Sequence, residues 1–178
     1  MSAPREIKSL TAIRGVAALG IVVYHLSPSF AYGTWLAAAT GWFTKYYLFV
    51  DMFFVLSGFI MCHVYATRFL KAFGAGDVRD FWLARFARIY PLHLVMLLAL
   101  VAYLVISWLL APPGSDVAVP FTQPGEDVPT FVTSLLLVQA WGFHDKLVWN
   151  VPAWSISAEA VAYLAFPLIL FAVRNLSP

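Results

Sequence analysis

The 178-residue chain is 62% hydrophobic and 17% aromatic, and only 11% of its residues are charged. Soluble domains carry about 25% charged residues. This chain has too little polar surface to cover its apolar side chains in water, so a soluble monomer and a disordered chain are both excluded. The net charge of +2 gives no basic patch for a nucleic-acid partner. The single cysteine, Cys62, excludes an intramolecular disulfide and a cysteine-built zinc site, and is expected to pack as a small apolar residue.

The apolar runs predict an all-α fold, a polytopic transmembrane helix bundle of about five spans. Crossing a ~30 Å hydrocarbon core takes ~20 helical residues. The runs fall at about 10–26, 47–65, 91–111 and 154–173, with a weak fourth-in-order candidate at 128–143 that reads alternatively as re-entrant or interfacial. Orientation follows from lysine and arginine. Arg5 and Lys8 precede the first run, and the segment 66–90 holds Arg68, Lys71, Arg79, Arg85 and Arg88. The proline-rich segment 112–130 has no basic residue and three acids. The N-terminus and 66–90 are therefore expected in the cytoplasm, and 112–130 outside. Lys146 is expected at a cytoplasmic turn after the fourth span.

Charges inside hydrocarbon are costly, so each is a functional candidate. Arg14 and His25 share the first run. Eleven residues at ~100° per residue close about three turns, which puts both on one face, ~16 Å apart along the axis. Histidine exchanges a proton near neutral pH and suits general-base work. The plainer reading has Arg14 snorkelling to headgroups and His25 at the far interface. The last run opens at Asn150-Val-Pro-Ala-Trp-Ser-Ile-Ser-Ala-Glu159. It places Glu159 about two turns inside the helix, with Ser155 one turn before it on the same face.

Asp51 sits at the start of the second run, where a helix N-terminus favours a carboxylate. Ser57-Gly58 reads as a close helix-packing contact. Arg85 and Arg88 are three apart on one helical face and suit a phosphate group; positive-inside topology alone explains them equally well. His25, His63, His93 and His144 lack metal-ligand spacing, and no metal is expected.

Four motifs then occur in one order: Arg14-(ten residues)-His25, Phe53-Phe-x-x-Ser-Gly-Phe59, Arg85-x-x-Arg88-x-x-Pro91 and Trp154-Ser-x-x-x-Glu159. Together they resemble the N-terminal half of the acyltransferase family 3 membrane proteins, from Ser9 to Pro167. One departure is Phe49, where the family usually has glycine. The resemblance implies that residues 1–178 are an acyltransferase 3 transmembrane domain, incomplete at its C-terminus, within a larger bundle. It implies an integral protein of the cell (inner) membrane that moves an acyl group, typically acetyl, from acyl-CoA to a hydroxyl of a cell-surface or secreted carbohydrate. Its partners are then the lipid bilayer, acyl-CoA (acetyl-CoA) as donor substrate and a carbohydrate acceptor. By the same resemblance His25 is the catalytic histidine, as base or transient acyl carrier. Arg14 binds the donor or stabilises developing negative charge, and Glu159 assists His25 or the acceptor. Arg85 and Arg88 contact the coenzyme phosphates, while Asp51, Ser57, Ser155 and Ser157 are supporting positions. Two other classes fit the charges: a proton-coupled membrane transporter relaying through Arg14, His25 and Glu159, and a truncated, non-catalytic membrane protein.

Overall fold

The computed structural model describes residues 8–26, 45 and 47–176. The expectations resting on Arg5 and on the connection 27–44 lie outside the described residues. Helix dominates, as an all-α reading requires, and the only sheet among the described residues is one two-stranded hairpin. The chain divides into two compact units, Met1–Lys71 and Ala72–Pro178.

The first unit pairs α1 (Lys8–Leu26) with α2 (Leu48–Lys71). At 1.5 Å per residue the 19 residues of α1 run ~28 Å. Small residues let the two helices approach. Ala17 is fully buried, and a Cβ added to Gly20 would collide with the Phe49 ring. Phe49 thus places its bulk where the other helix has none. The close contact expected at Gly58 is not there: a Cβ built on it meets nothing within 4 Å among the described residues. Cys62 opens a π-helical turn, Cys62–Ala66, and is exposed rather than packed in protein.

The second unit is built on α3 (Ala75–Leu109), 35 residues or ~52 Å long. After it come β1 (Thr122–Gln123), β2 (Glu126–Asp127), α4 (Val128–Leu135) and α5 (Trp154–Leu176), the last entered by a 3₁₀ turn Val151–Ala153. Pro124-Gly125 closes the hairpin, with Gly125 at φ +91°, which a side chain rarely adopts. Asp127 then caps α4 reciprocally with Thr130: each side chain bonds the other residue's backbone N–H. Leu97, Val148 and Trp149 form a buried core against α3, with Phe121, Phe131 and Leu135 packed on it.

The run 128–143 does not form a spanning helix. α4 stops after eight residues, ~12 Å, closed by local bonds from the Leu136, Leu137 and Val138 N–H groups and by tertiary bonds to its last carbonyls. The carbonyls of Ser134 and Leu135, at the C-terminal end of α4, accept from His93 Nε2 (2.8 Å) and Tyr90 Oη (3.0 Å) on α3, the Ser134 carbonyl also taking the Leu137 N–H at 3.0 Å. Leu137 turns left-handed at φ +58°. Its carbonyl accepts from Ser157 Oγ on α5 at 2.8 Å.

Because 128–143 does not cross, α5 runs antiparallel to α3. Phe171 meets Phe73 at 5.1 Å, Phe166 meets Phe81 at 5.3 Å, and Trp82 Nε1 donates to the Tyr163 carbonyl at 2.9 Å. A fourth crossing, with Lys146 at a turn on the far side, would have made the two helices parallel. The packing corrects that expectation. Pro91 is also no boundary. α3 continues through it, pinned before it by the contacts of Phe81 and Trp82 with α5 and around it by the Tyr90 and His93 bonds to α4. The first half of α3, expected as a cytoplasmic segment, therefore lies beside the apolar run of α5.

Three helical stretches are long and apolar enough to cross a membrane: Leu48–Lys71, Ala75–Leu109 and Val151–Leu176. Their outward faces agree. Val55, Leu92 and Leu168 are 71%, 69% and 65% exposed, a surface stable only against hydrocarbon or further helices.

Candidate functional site

The first unit carries Arg14, His25, Asp51 and Ser57. α1 is an unbroken α-helix from Lys8 to Leu26, so Arg14 and His25 stand ~16 Å apart on one face. Arg14 is half-buried, its guanidinium 5.9 Å from the ring centre of Phe53 on α2, where ring quadrupole and cation attract. Arg14 is thus held over Phe53, about three turns from His25 along one face of α1. His25 is exposed, edge-on to Tyr24, with Nδ1 2.9 Å from the Ile21 carbonyl. A carbonyl only accepts, so this contact puts the proton on Nδ1 and leaves Nε2 as the basic nitrogen. Asp51 is exposed in the first turn of α2, and Ser57 is half-buried.

In the second unit Glu159 is half-buried and accepts from Tyr163 Oη at 2.8 Å, one turn along α5. The Tyr163 ring is 2% exposed and stands edge-on to Phe81 and Phe86 of α3. Arg85 lies over one ring of this cluster, its guanidinium 5.9 Å from the Phe81 ring centre. Depth follows from the antiparallel register. Tyr163 is level with Phe81–Phe86, so Glu159, four residues earlier on α5, is level with the next turn of α3, about residues 85–90. Arg85, Arg88 and Glu159 thus share one depth. Arg85 is half-buried and Arg88 exposed. The sequence places the arginines on one helical face; that the carboxylate lies at their level is a tertiary fact.

The two serines near Glu159 are committed to structure. Ser157 is fully buried. Its Oγ donates to the Leu137 carbonyl and accepts from the Ala140 N–H at 3.2 Å, while its own carbonyl accepts from Trp141 Nε1 at 3.1 Å. Ser155 Oγ donates to the Pro152 carbonyl at 3.0 Å and finishes the entry turn of α5. Tyr163 and the aromatic residues around it were not singled out from the sequence. The i, i+4 spacing from Glu159 was the available signal.

The remaining histidines are engaged separately. His63 stacks on Phe59, His93 is buried against α4, and His144 Nε2 is 2.6 Å from Thr133 Oγ1. Among the described residues no group of three or more His, Cys, Asp or Glu is placed to hold a metal ion. Asp127, outside the spanning helices, has its carboxyl held below the usual range, mainly by the Thr130 backbone N–H, then by the Thr130 hydroxyl, with a smaller contribution from His144.

These features define a class: a helical membrane protein with spans of bilayer length and a few polar residues set among apolar helices. Within that class the match is specific. Residues 7–178 fit the family described as an acyltransferase domain, acyltransferase 3, and the chain belongs to that family. Acyltransferase MdmB of Streptomyces mycarofaciens is 36% identical over 97% of this chain and 42% of that protein. Protein 2 in the picA locus of Rhizobium radiobacter is 35% identical over 90% of this chain and 80% of its own length. O-acetyltransferase OatA of Staphylococcus aureus is 24% identical over the whole chain and 27% of that protein. The chain thus spans well under half the length of MdmB and OatA. No solved structure matches.

Proposed function

We propose that the chain is the membrane part of an O-acyltransferase of the cell membrane that moves an acyl group, acetyl in the simplest case, from acyl-CoA to a hydroxyl of a surface or secreted carbohydrate. The supporting observation is the coincidence of family membership with the side chains that acyl transfer needs: a base and an arginine on the shorter apolar helix α1, and two further arginines and a carboxylate on helices of spanning length. In this reading His25 Nε2 takes the proton of the acceptor hydroxyl. The hydroxyl oxygen attacks the thioester carbonyl, the C–O bond forms and the C–S bond breaks. The proton passes from His25 to the departing thiolate. Arg14, ~16 Å along the same face, binds the anionic part of the donor or steadies the negative charge that develops on the thioester oxygen. Arg85 and Arg88 bind phosphate by charge-assisted hydrogen bonds. Glu159 assists the acceptor by accepting a hydrogen bond from another hydroxyl of the carbohydrate. The Arg79 end of α3 and the Arg174 end of α5 face the cytoplasm under the positive-inside rule.

The test uses membranes holding the full polypeptide and radiolabelled acetyl-CoA, with label counted in the surface-polysaccharide fraction. Wild type is expected to transfer label, and His25→Ala to lose at least ~100-fold while inserting normally. Label transfer unchanged in His25→Ala overturns the role of His25. No acetyl-CoA-dependent labelling by wild type overturns the acyl-CoA reading.

A further inference from the structure

We infer that Tyr163 is a positioning residue, fixing the carboxylate of Glu159 for the reaction proposed above; the inference rests on that reading. Three contacts hold Tyr163. Its ring is closed in by the edges of Phe81 and Phe86, and its backbone carbonyl receives the Trp82 indole N–H at 2.9 Å. At 2% exposure the ring has no room to swing. The hydroxyl at the tip of the ring donates to Glu159 Oε1 at 2.8 Å.

A glutamate has three side-chain torsions and several staggered rotamers. The bond to a tyrosine that cannot turn narrows the choice for Glu159, at the level of Arg85 and Arg88. The aromatic cluster extends the constraint to the other helix. Phe81, which stands against Tyr163, carries Arg85 on its ring, so packing of the same few rings sets both the anion-binding side chain and the carboxylate. A phenol is suited to this. It buries a large apolar body and presents one donor to a carboxylate that can only accept.

Tyr163→Phe keeps the ring and removes the donor. In the full polypeptide, with radiolabelled acetyl-CoA, kcat is expected to fall about 10- to 100-fold with KM for acetyl-CoA within twofold. In a Glu159→Gln background the same change is expected to have no further effect on kcat, because the carboxylate it positions is already gone. A purely structural tyrosine would lower the amount of folded protein and leave kcat per folded molecule unchanged. A wild-type kcat in Tyr163→Phe, or a loss of equal size with and without Glu159→Gln, overturns the inference while the acyl-transfer reading stands. If wild type transfers no acetyl group, the functional reading fails instead, and the positioning role is decided by infrared spectroscopy. The carboxylate band removed by Glu159→Gln should shift in Tyr163→Phe, and an unshifted band overturns the inference.

Discussion

Ser157 gives the sharpest test of whether a polar residue beside the carboxylate is chemical or structural. The Ser-x-Glu spacing matches a family motif, yet the hydroxyl is fully buried and engaged twice. Ser157→Ala removes a donor from the Leu137 carbonyl and an acceptor from the Ala140 N–H. Leu137 is 1% exposed, so its carbonyl has no water to turn to, and leaving it unsatisfied costs about 1–3 kcal/mol. Ala140 is exposed and can bond water, so that side costs nearer ~0.5–1 kcal/mol. The sum is about 1.5–4 kcal/mol, applied at a residue already held left-handed at φ +58°. For a chain of this size that lowers Tm by roughly 3–16 °C. Thermal unfolding of the detergent-solubilised protein, read by tryptophan fluorescence or as retained monomer by size exclusion, measures it. Acetyl transfer per folded molecule, assayed well below the lowered Tm, is expected to stay within threefold of wild type. An unchanged Tm with transfer lost more than tenfold would refute the structural assignment and return Ser157 to the chemistry.

Three further outcomes follow from the geometry. Arg88→Ala, at an exposed position, is expected to weaken acetyl-CoA binding about tenfold with no change in Tm, whereas Arg85→Ala should lower both, because its guanidinium also packs on Phe81; calorimetric titration showing unchanged affinity in the double variant would remove the phosphate role. The antiparallel packing of α3 and α5 predicts that cysteines placed at Ala72 and Asn175, in a Cys62→Ser background, react with a membrane-impermeant reagent from the same side; labelling from opposite sides would restore the fourth crossing. The lowered Asp127 carboxyl stabilises the α4 cap at every pH above the usual carboxylate value, and this stabilisation is lost as pH falls through the lower folded value. Hydrogen-exchange protection of the Thr130 amide, after correction for intrinsic rates, should hold from pH 7 to about 4 and decline only below that; a decline already between pH 6 and 5 would contradict the cap.

Much was legible in the sequence because hydrocarbon imposes simple rules. A bilayer core demands runs of ~20 apolar residues and makes every charge within them stand out. Composition alone therefore gave the helical membrane class, and helix periodicity alone put Arg14 and His25 on one face. The run 128–143 was misleading because apolar length does not say where backbone hydrogen bonds go. Tyr90, His93 and Ser157 offer the carbonyls at and just beyond the end of α4 partners outside the helix, and these are contacts between residues 20 to 45 positions apart.

Once the crossing at 128–143 is removed, α5 reverses against α3, and the reversal decides the rest of the second unit's site. Spacing within one helix fixes which residues share a face, since 3.6 residues per turn is a local property. Which residues of two helices share a depth is set by how side chains interlock. Phe81, Phe86 and Tyr163 set that register. The sequence by itself determined that this is a membrane protein with a few costly polar groups in its helices; only the tertiary structure brought Glu159 to the level of Arg85 and Arg88 and gave it Tyr163 as a hydrogen-bond donor.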